Sequence, residues 1–153
     1  PGAFAAVRCM SDPQTVISDQ DPMTKTELGR MGEDAVRYYL EALGYEILAR
    51  NFRIRGGEID IVAAKGEDLC FVEVKTRTLG SQETGLEAVT WRKRRLLIRA
   101  AYAYCERHDI DADDWYIRYD IADVTAHHDR IIDIDYLENA FDETDFHDNS
   151  QIF

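Results

Sequence analysis

Cysteine, proline and long apolar runs are all scarce in this chain, and each scarcity excludes something. The 153 residues hold three cysteines, Cys9, Cys70 and Cys105, with no paired spacing. That argues against a disulfide framework or a zinc site and points to a reducing cytoplasm. Cys70 and Cys105 lie in apolar surroundings and are expected to be packing residues. The three prolines all fall within the first 22 residues, so none interrupts the periodic segments beyond. No apolar run reaches membrane length, and no basic start with a long apolar segment marks a secretory signal, so a membrane is not an expected partner. There are no internal repeats. His108, His127, His128 and His147 sit in acidic surroundings without ligand spacing and receive no role.

Positive charge is also short: 18 Lys and Arg stand against 30 Asp and Glu, a net of −12. That balance argues against nucleic-acid binding until its distribution is read. Residues 1–23 carry three acids and one base, 24–108 carry 13 acids and 15 bases, and 109–153 carry 14 acids and two bases. The middle of the chain is mildly basic, and local patches rather than the overall charge decide phosphate binding. The acidic C-terminal third either solubilises the protein or competes with nucleic acid for the basic face.

What is present is a run of periodic segments. Residues 1–23 show no sustained period and are expected to be a flexible extension, with Met10 and Met23 both conceivable starts. A helix is expected over 26–43, capped by Thr24 or Thr26 and stopped by Gly44. A strand follows over 45–52, then a hairpin over 57–75, then a loop with Gly80 and Gly85. Ser81 and Thr84 lie in that loop, where nothing completes a nucleophile-and-base arrangement. A longer helix is expected from Glu87 or Ala88 to Arg107, then strands over 115–124 and 131–136. The order α-β-β-β-α-β-β describes an α/β or α+β fold with a mixed sheet flanked by helices. One domain over 24–136 is expected, with 137–153 as an acidic tail.

The hairpin carries the chemistry. Ile59, Ile61, Val62, Phe71, Val72 and Val74 are strand formers, and Gly66 among polar neighbours signals the turn. A turn centred on Gly66 and Glu67 sets Lys65 against Asp68, Val62 against Phe71, Asp60 against Glu73 and Glu58 against Lys75, all on one face. Opposed Cβ atoms lie about 4.5–5.5 Å apart, and like charges there repel. Asp60 against Glu73 is thus unfavourable unless a cation reverses the sign. Magnesium suits such hard oxygen ligands, with Glu58 placed to bind through water. Lys75 beside the pair could orient or help deprotonate a water, or stabilise phosphate charge. A plainer reading makes these edge-strand charges, with Glu58 and Lys75 a cross-strand ion pair.

Arg92, Lys93, Arg94 and Arg95 wrap about one turn of the second helix, as phosphate contacts or as a solvated basic face. Arg53, Arg55 and Arg77 flank the hairpin and are candidates to line the same cleft. Trp91 and Trp115 are expected to be packing anchors, and no aromatic stacking platform is evident. Glu33 shares the first helix with Asp34, where acids ordinarily compensate the helix dipole.

Several blocks now fall into one order: Gly32-Glu33, Arg50-Asn51-Phe52-Arg53, Gly57-Glu58-Ile59-Asp60, Phe71-Val72-Glu73-Val74-Lys75-Thr76-Arg77, and Ala88-Val89-Thr90 through Lys93. Over about residues 27–125 the chain resembles the PD-(D/E)xK restriction-endonuclease-like superfamily, and more narrowly the YraN-like family. Ile59 stands where the superfamily pattern has proline, and the extension ahead of Met23 lies outside the family pattern. The resemblance implies a restriction-endonuclease-like core, with Asp60 and Glu73 as metal ligands and Lys75 as the motif lysine. It implies Glu33 as the extra acid that the first helix supplies in related Holliday-junction resolvases, which would help hold a second metal, and it favours Lys93 for phosphate contact.

The expected activity is magnesium- or manganese-dependent hydrolysis of phosphodiester bonds by an endonuclease. It would be structure-selective or non-specific, with DNA favoured over RNA. A symmetric homodimer would be natural for cutting two strands. The alternative is a catalytically silent nucleic-acid-binding or protein-scaffold module of the same fold.

Overall fold

The computed structural model describes residues 23–82 and 88–146. The expected N-terminal extension with Cys9 and Met10, the positions of Thr84 and Gly85, the start of the second helix at Glu87, and His147 with the end of the acidic tail lie outside those residues.

Helix α1 spans Lys25–Ala42. Thr24 caps it: its hydroxyl accepts from the Glu27 N–H at 3.1 Å, while the Glu27 carboxylate accepts from the Thr24 N–H at 3.0 Å. This reciprocal box satisfies two otherwise orphaned donors and contributes roughly 1 kcal/mol. Gly32, Val36 and Leu40, four apart, form the buried stripe.

Strands β1 (Glu46–Ile54), β2 (Gly57–Lys65), β3 (Asp68–Thr78), β4 (Tyr116–His127) and β5 (Arg130–Phe141) form one sheet in sequence order. All neighbours are antiparallel except β3 and β4. Parallel neighbours need a long crossover, and helix α2 (Trp91–Arg107) supplies it. The result is a mixed α+β sandwich in the expected order.

The helices lie on opposite faces. Under α1, Val36 and Leu40 pack with Ile61, Ala63, Cys70, Val72 and Val74. Under α2, Leu97, Ile98 and Tyr104 pack with Ile59, Val62, Leu69 and Phe71. Strand β3 is therefore covered on both sides, and positions 69–74 are all buried, which is why its sequence is a near-continuous apolar run rather than an alternation. One member of that run, Glu73, is an acid only 3% exposed.

Several boundaries differ from the sequence expectation. Thr90 caps α2, its hydroxyl accepting from the Lys93 N–H at 3.2 Å, so the helix begins at Trp91 rather than at 87 or 88. Trp91 is not a packing anchor; it is 55% exposed. Arg94, expected either to contact phosphate or to lie on a solvated basic face, is buried instead. Its Nε donates to the Val89 carbonyl at 2.9 Å and its guanidinium lies 4.4 Å from the Trp91 ring centroid. Strand β5 runs past 136 to Phe141, whose ring is buried under α2. Among the described residues no helix is long and apolar enough to cross a membrane.

Candidate active site

The β2–β3 hairpin has the register read from its turn. Rungs run from Lys65 against Asp68 through Val62 against Phe71 and end at Ile61 against Val72. The expected next rung, Asp60 against Glu73, and with it Glu58 against Lys75, is not part of the ladder. Instead the Asp60 Oδ2 accepts the Val74 N–H at 2.8 Å. Strict alternation is also broken there. Ile59 packs under α2 and Ile61 under α1, although they are two residues apart. On the neighbouring strand Phe52 faces Ile59 and Arg50 faces Ile61, so Asn51 stands across from Asp60, with φ of 52°. That left-handed conformation is uncommon for a side-chain residue and is most tolerated by Asn and Asp. The irregularity turns the Asp60 carboxylate toward β3 instead of into the core.

Both helices reach this point. From α1 comes Glu33, placed by the close approach at Gly32: a Cβ there would lie 1.8 Å from the Thr76 Oγ1 and 2.9 Å from its Cβ. Only a glycine lets the helix settle this near β3. From α2 comes Lys93, whose Nζ lies 2.8 Å from the Glu73 Oε1. Lys75 follows Glu73 by two along β3, and its ammonium abuts that of Lys93.

The electrostatics follow from crowding acids at a half-buried place. Burial first, then the charges of Glu73, Glu33 and Glu58, raise the Asp60 carboxyl to about 8 despite the Val74 N–H. Glu33 is pushed up by burial and by Glu58 and Glu73, against the pull of Arg50. Its Oε1 is buried with no hydrogen-bond partner. Lys75 is pushed down by burial and by the Lys93 ammonium, only partly offset by Glu73 and Asp60. Burial also works against the charge on Lys93, but Glu73 outweighs it and holds Lys93 above the ordinary lysine range. Carboxyls raised and a lysine lowered in one cluster are a functional-site signature.

Among the described residues no three His, Cys, Asp or Glu side chains converge as a ready-made metal cage. What the site offers is Asp60 and Glu73 with Glu33 and Glu58 in electrostatic range. Hard oxygen donors, crowded enough that the Asp60 and Glu33 carboxyls are both raised, and an unsatisfied Glu33 oxygen fit a divalent cation that keeps most of its waters.

The expected basic residues divide. Arg53 and Lys93 line one groove with Glu58, Gly57 and Leu96. Arg53 is held loosely there by Glu58, at 3.5 Å, so Glu58 pairs with Arg53 rather than Lys75. Arg55 is exposed in the β1–β2 turn and Arg92 on the first turn of α2. Arg77 is committed to Asp123 at 2.8 Å, and both line a second groove with Lys75 and Lys25. Asp123 is the site residue the sequence reading missed. It stands beside Lys75 in the β3–β4 register and is 6% exposed. An acid inside an apolar strand was the only signal for it, and the parallel pairing that gives it meaning joins positions 48 residues apart.

Fold and site together define a mixed α/β sandwich with an acid–lysine cluster at a break in its central hairpin. The chain belongs to the uncharacterised protein family UPF0102, which matches residues 32–124 and so takes in Glu33, Asp60, Glu73, Lys75, Lys93 and Asp123. A UPF0102 protein of Chloroflexus aurantiacus is 43% identical over 122 residues, covering 80% of this chain and 98% of the relative. One from Chlorobium chlorochromatii is 42% identical over 125 residues, covering 78% and 95%. One from Caldicellulosiruptor saccharolyticus is 40% identical over 120 residues, covering 78% and 100%.

Proposed function

We propose that this protein is a divalent-metal-dependent endonuclease that hydrolyses phosphodiester bonds in nucleic acid, on a core of the PD-(D/E)xK kind. One observation carries the reading. Asp60 and Glu73 lie in electrostatic range of each other near Lys75, and burial, with the charge of Glu73 added to it, raises the Asp60 carboxyl to about 8. A fold keeps such an arrangement without function only at a cost in stability.

Asp60 and Glu73 would hold a magnesium or manganese ion, with Glu33 supplying a further oxygen and Glu58 reaching it through water. When bound, the ion supplies a Lewis acid to the phosphate oxygens. The remaining work falls to the chain. The Val74 N–H fixes the orientation of the Asp60 carboxylate. Lys75, whose proton is loosened by burial and by Lys93, orients the attacking water and donates to the phosphate as charge develops. Arg53, Arg92 and Arg55 are exposed on the surrounding surface and contact neighbouring phosphates, which gives position and affinity without sequence reading. DNA is the favoured substrate.

The test is titration of magnesium or manganese with branched, flapped and linear DNA and RNA. Asp60→Ala and Lys75→Ala should abolish cleavage while the fold survives. Equal activity in wild type and both variants, with contaminating nuclease excluded, rejects the proposal.

A second reading has its own observation. The Lys93 ammonium already neutralises Glu73 at 2.8 Å, as a catalytically silent nucleic-acid-binding module would require. Metal-independent DNA binding, weakening steeply with salt and without turnover in any divalent ion, would establish that reading. No nucleic-acid affinity even at low salt would leave a protein-interaction module.

A further inference from the structure

The Lys93–Glu73 contact has two possible meanings: a permanent structural pair, or a counter-ion that holds a place. We infer that Lys93 is a displaceable counter-ion: a divalent cation binding Asp60 and Glu73 takes its place on the Glu73 carboxylate and releases the ammonium into the adjoining groove. Lys93 is then a positioning residue that links metal entry to the appearance of a free cation where a phosphate would lie. The inference rests on the metal-site reading above.

Four observations support it. Glu73 is 3% exposed, so a carboxylate there must be compensated whether or not an ion is bound. The Lys93 side chain as a whole is 45% exposed, and its backbone is fixed separately, the Lys93 N–H bonding to the Thr90 cap. The ammonium can therefore leave by rotation about side-chain bonds, without any movement of α2. It leaves toward a groove that Arg53, Gly57 and Glu58 also line. Finally, Lys93 abuts Lys75. Two like charges repel, so the Glu73 carboxylate is what holds Lys93 there, and a dication on that carboxylate both removes the attraction and adds repulsion. A permanent pair would instead resist displacement and exclude metal.

The experiment measures manganese affinity directly, by the electron-spin-resonance signal of the free ion, without substrate. The proteins are the wild-type chain, Lys93→Gln, Lys93→Arg and Asp60→Asn. If Lys93 competes with metal, Lys93→Gln binds manganese roughly tenfold more tightly than wild type, within the usual span of coupling between sites. Lys93→Arg, which keeps a cation able to grip Glu73 with two donors, binds it more weakly. The manganese-dependent rise of the melting midpoint is a second readout, one that a merely structural pair would not move. Lys93→Gln melts below wild type in EDTA, and manganese raises its midpoint further than that of wild type. Should Lys93→Gln fail to fold in EDTA, the Lys93→Arg comparison decides alone. Equal or weaker manganese binding by Lys93→Gln, or unchanged binding by Lys93→Arg, overturns the inference. If wild type still binds manganese and Asp60→Asn does not, the metal site survives that failure. If none of the four proteins binds manganese, both readings fall together.

Discussion

Replacing Asp60 by Asn is the perturbation that interrogates the site most directly, because it keeps the shape and the acceptor for the Val74 N–H while removing the charge. The Asp60 carboxyl lies at about 8 in the folded chain against an ordinary value of 3.8. A raised folded value means that the native state holds a proton that the unfolded state has lost. Stability from this group is therefore fully present below the ordinary value and is lost as pH rises toward about 8. The limiting slope is about 1.4 kcal/mol per pH unit. Neighbouring carboxyls take up part of the same proton, which spreads the transition, so the loss between pH 5 and 8 amounts to roughly 2–3 kcal/mol, a large share of a domain's net stability. Asp60→Asn has no such titration. Urea unfolding in EDTA at pH 5, 6, 7 and 8 should show the wild-type midpoint falling relative to the variant, by about 1–2 M over that range for a slope typical of a small domain. The variant should be the more stable protein at pH 8. Magnesium added at pH 8 should restore wild type and leave Asp60→Asn unmoved. Parallel stability profiles for the two proteins would refute the claim that crowded acids strain this fold, and the principal physical argument for a cation with it.

Three further outcomes follow from the geometry. Gly32→Ala puts a Cβ 1.8 Å from the Thr76 Oγ1, so thermal unfolding should show a loss of about 1–3 kcal/mol; Thr76→Ala in the same chain should recover part of it, and an undisturbed midpoint in Gly32→Ala alone would contradict the close approach. Asp120 is fully buried and accepts from Arg118 at 2.8 Å, the Tyr136 hydroxyl at 2.6 Å and the Asn139 N–H at 2.8 Å, so Asp120→Ala should cost about 1–3 kcal/mol by taking the acceptor from the Tyr136 hydroxyl and the Asn139 N–H, while Arg118 keeps Asp68 at 3.1 Å, measured by urea unfolding. Arg53→Ala and Arg92→Ala should each flatten the log–log salt dependence of DNA affinity by about one where the side chain contacts a phosphate, whereas Arg77→Ala, which removes the 2.8 Å pair with the buried Asp123, should instead lower the melting temperature.

The hairpin was legible in the sequence from its turn as far as Val62 against Phe71, because Gly66 fixes the turn and period-two alternation sets the rungs beside it. Element order was legible for the same local reasons: capping at Thr24, a stop at Gly44, and apolar runs of strand length. The composition of the site was legible too, since Asp60, Glu73 and Lys75 fall within one hairpin. Its geometry was not. The ladder ends before Asp60 because β1 is irregular at Asn51 and because the Val74 N–H takes the carboxylate, and neither event is local to the hairpin. The rotation of α2 was equally hidden. Its first turn has four basic residues with similar propensities, and only docking against β2 and β3 decides that Lys93 reaches Glu73, that Arg94 is buried and that Trp91 is exposed. Asp123 gains its place beside Lys75 only through the parallel pairing of β3 with β4. Sequence thus determined which charges and which local elements exist, since those depend on near neighbours along the chain. Tertiary structure decided which charges meet, because that depends on burial and on pairing between segments far apart, where Coulomb energies are largest and local patterns carry no information.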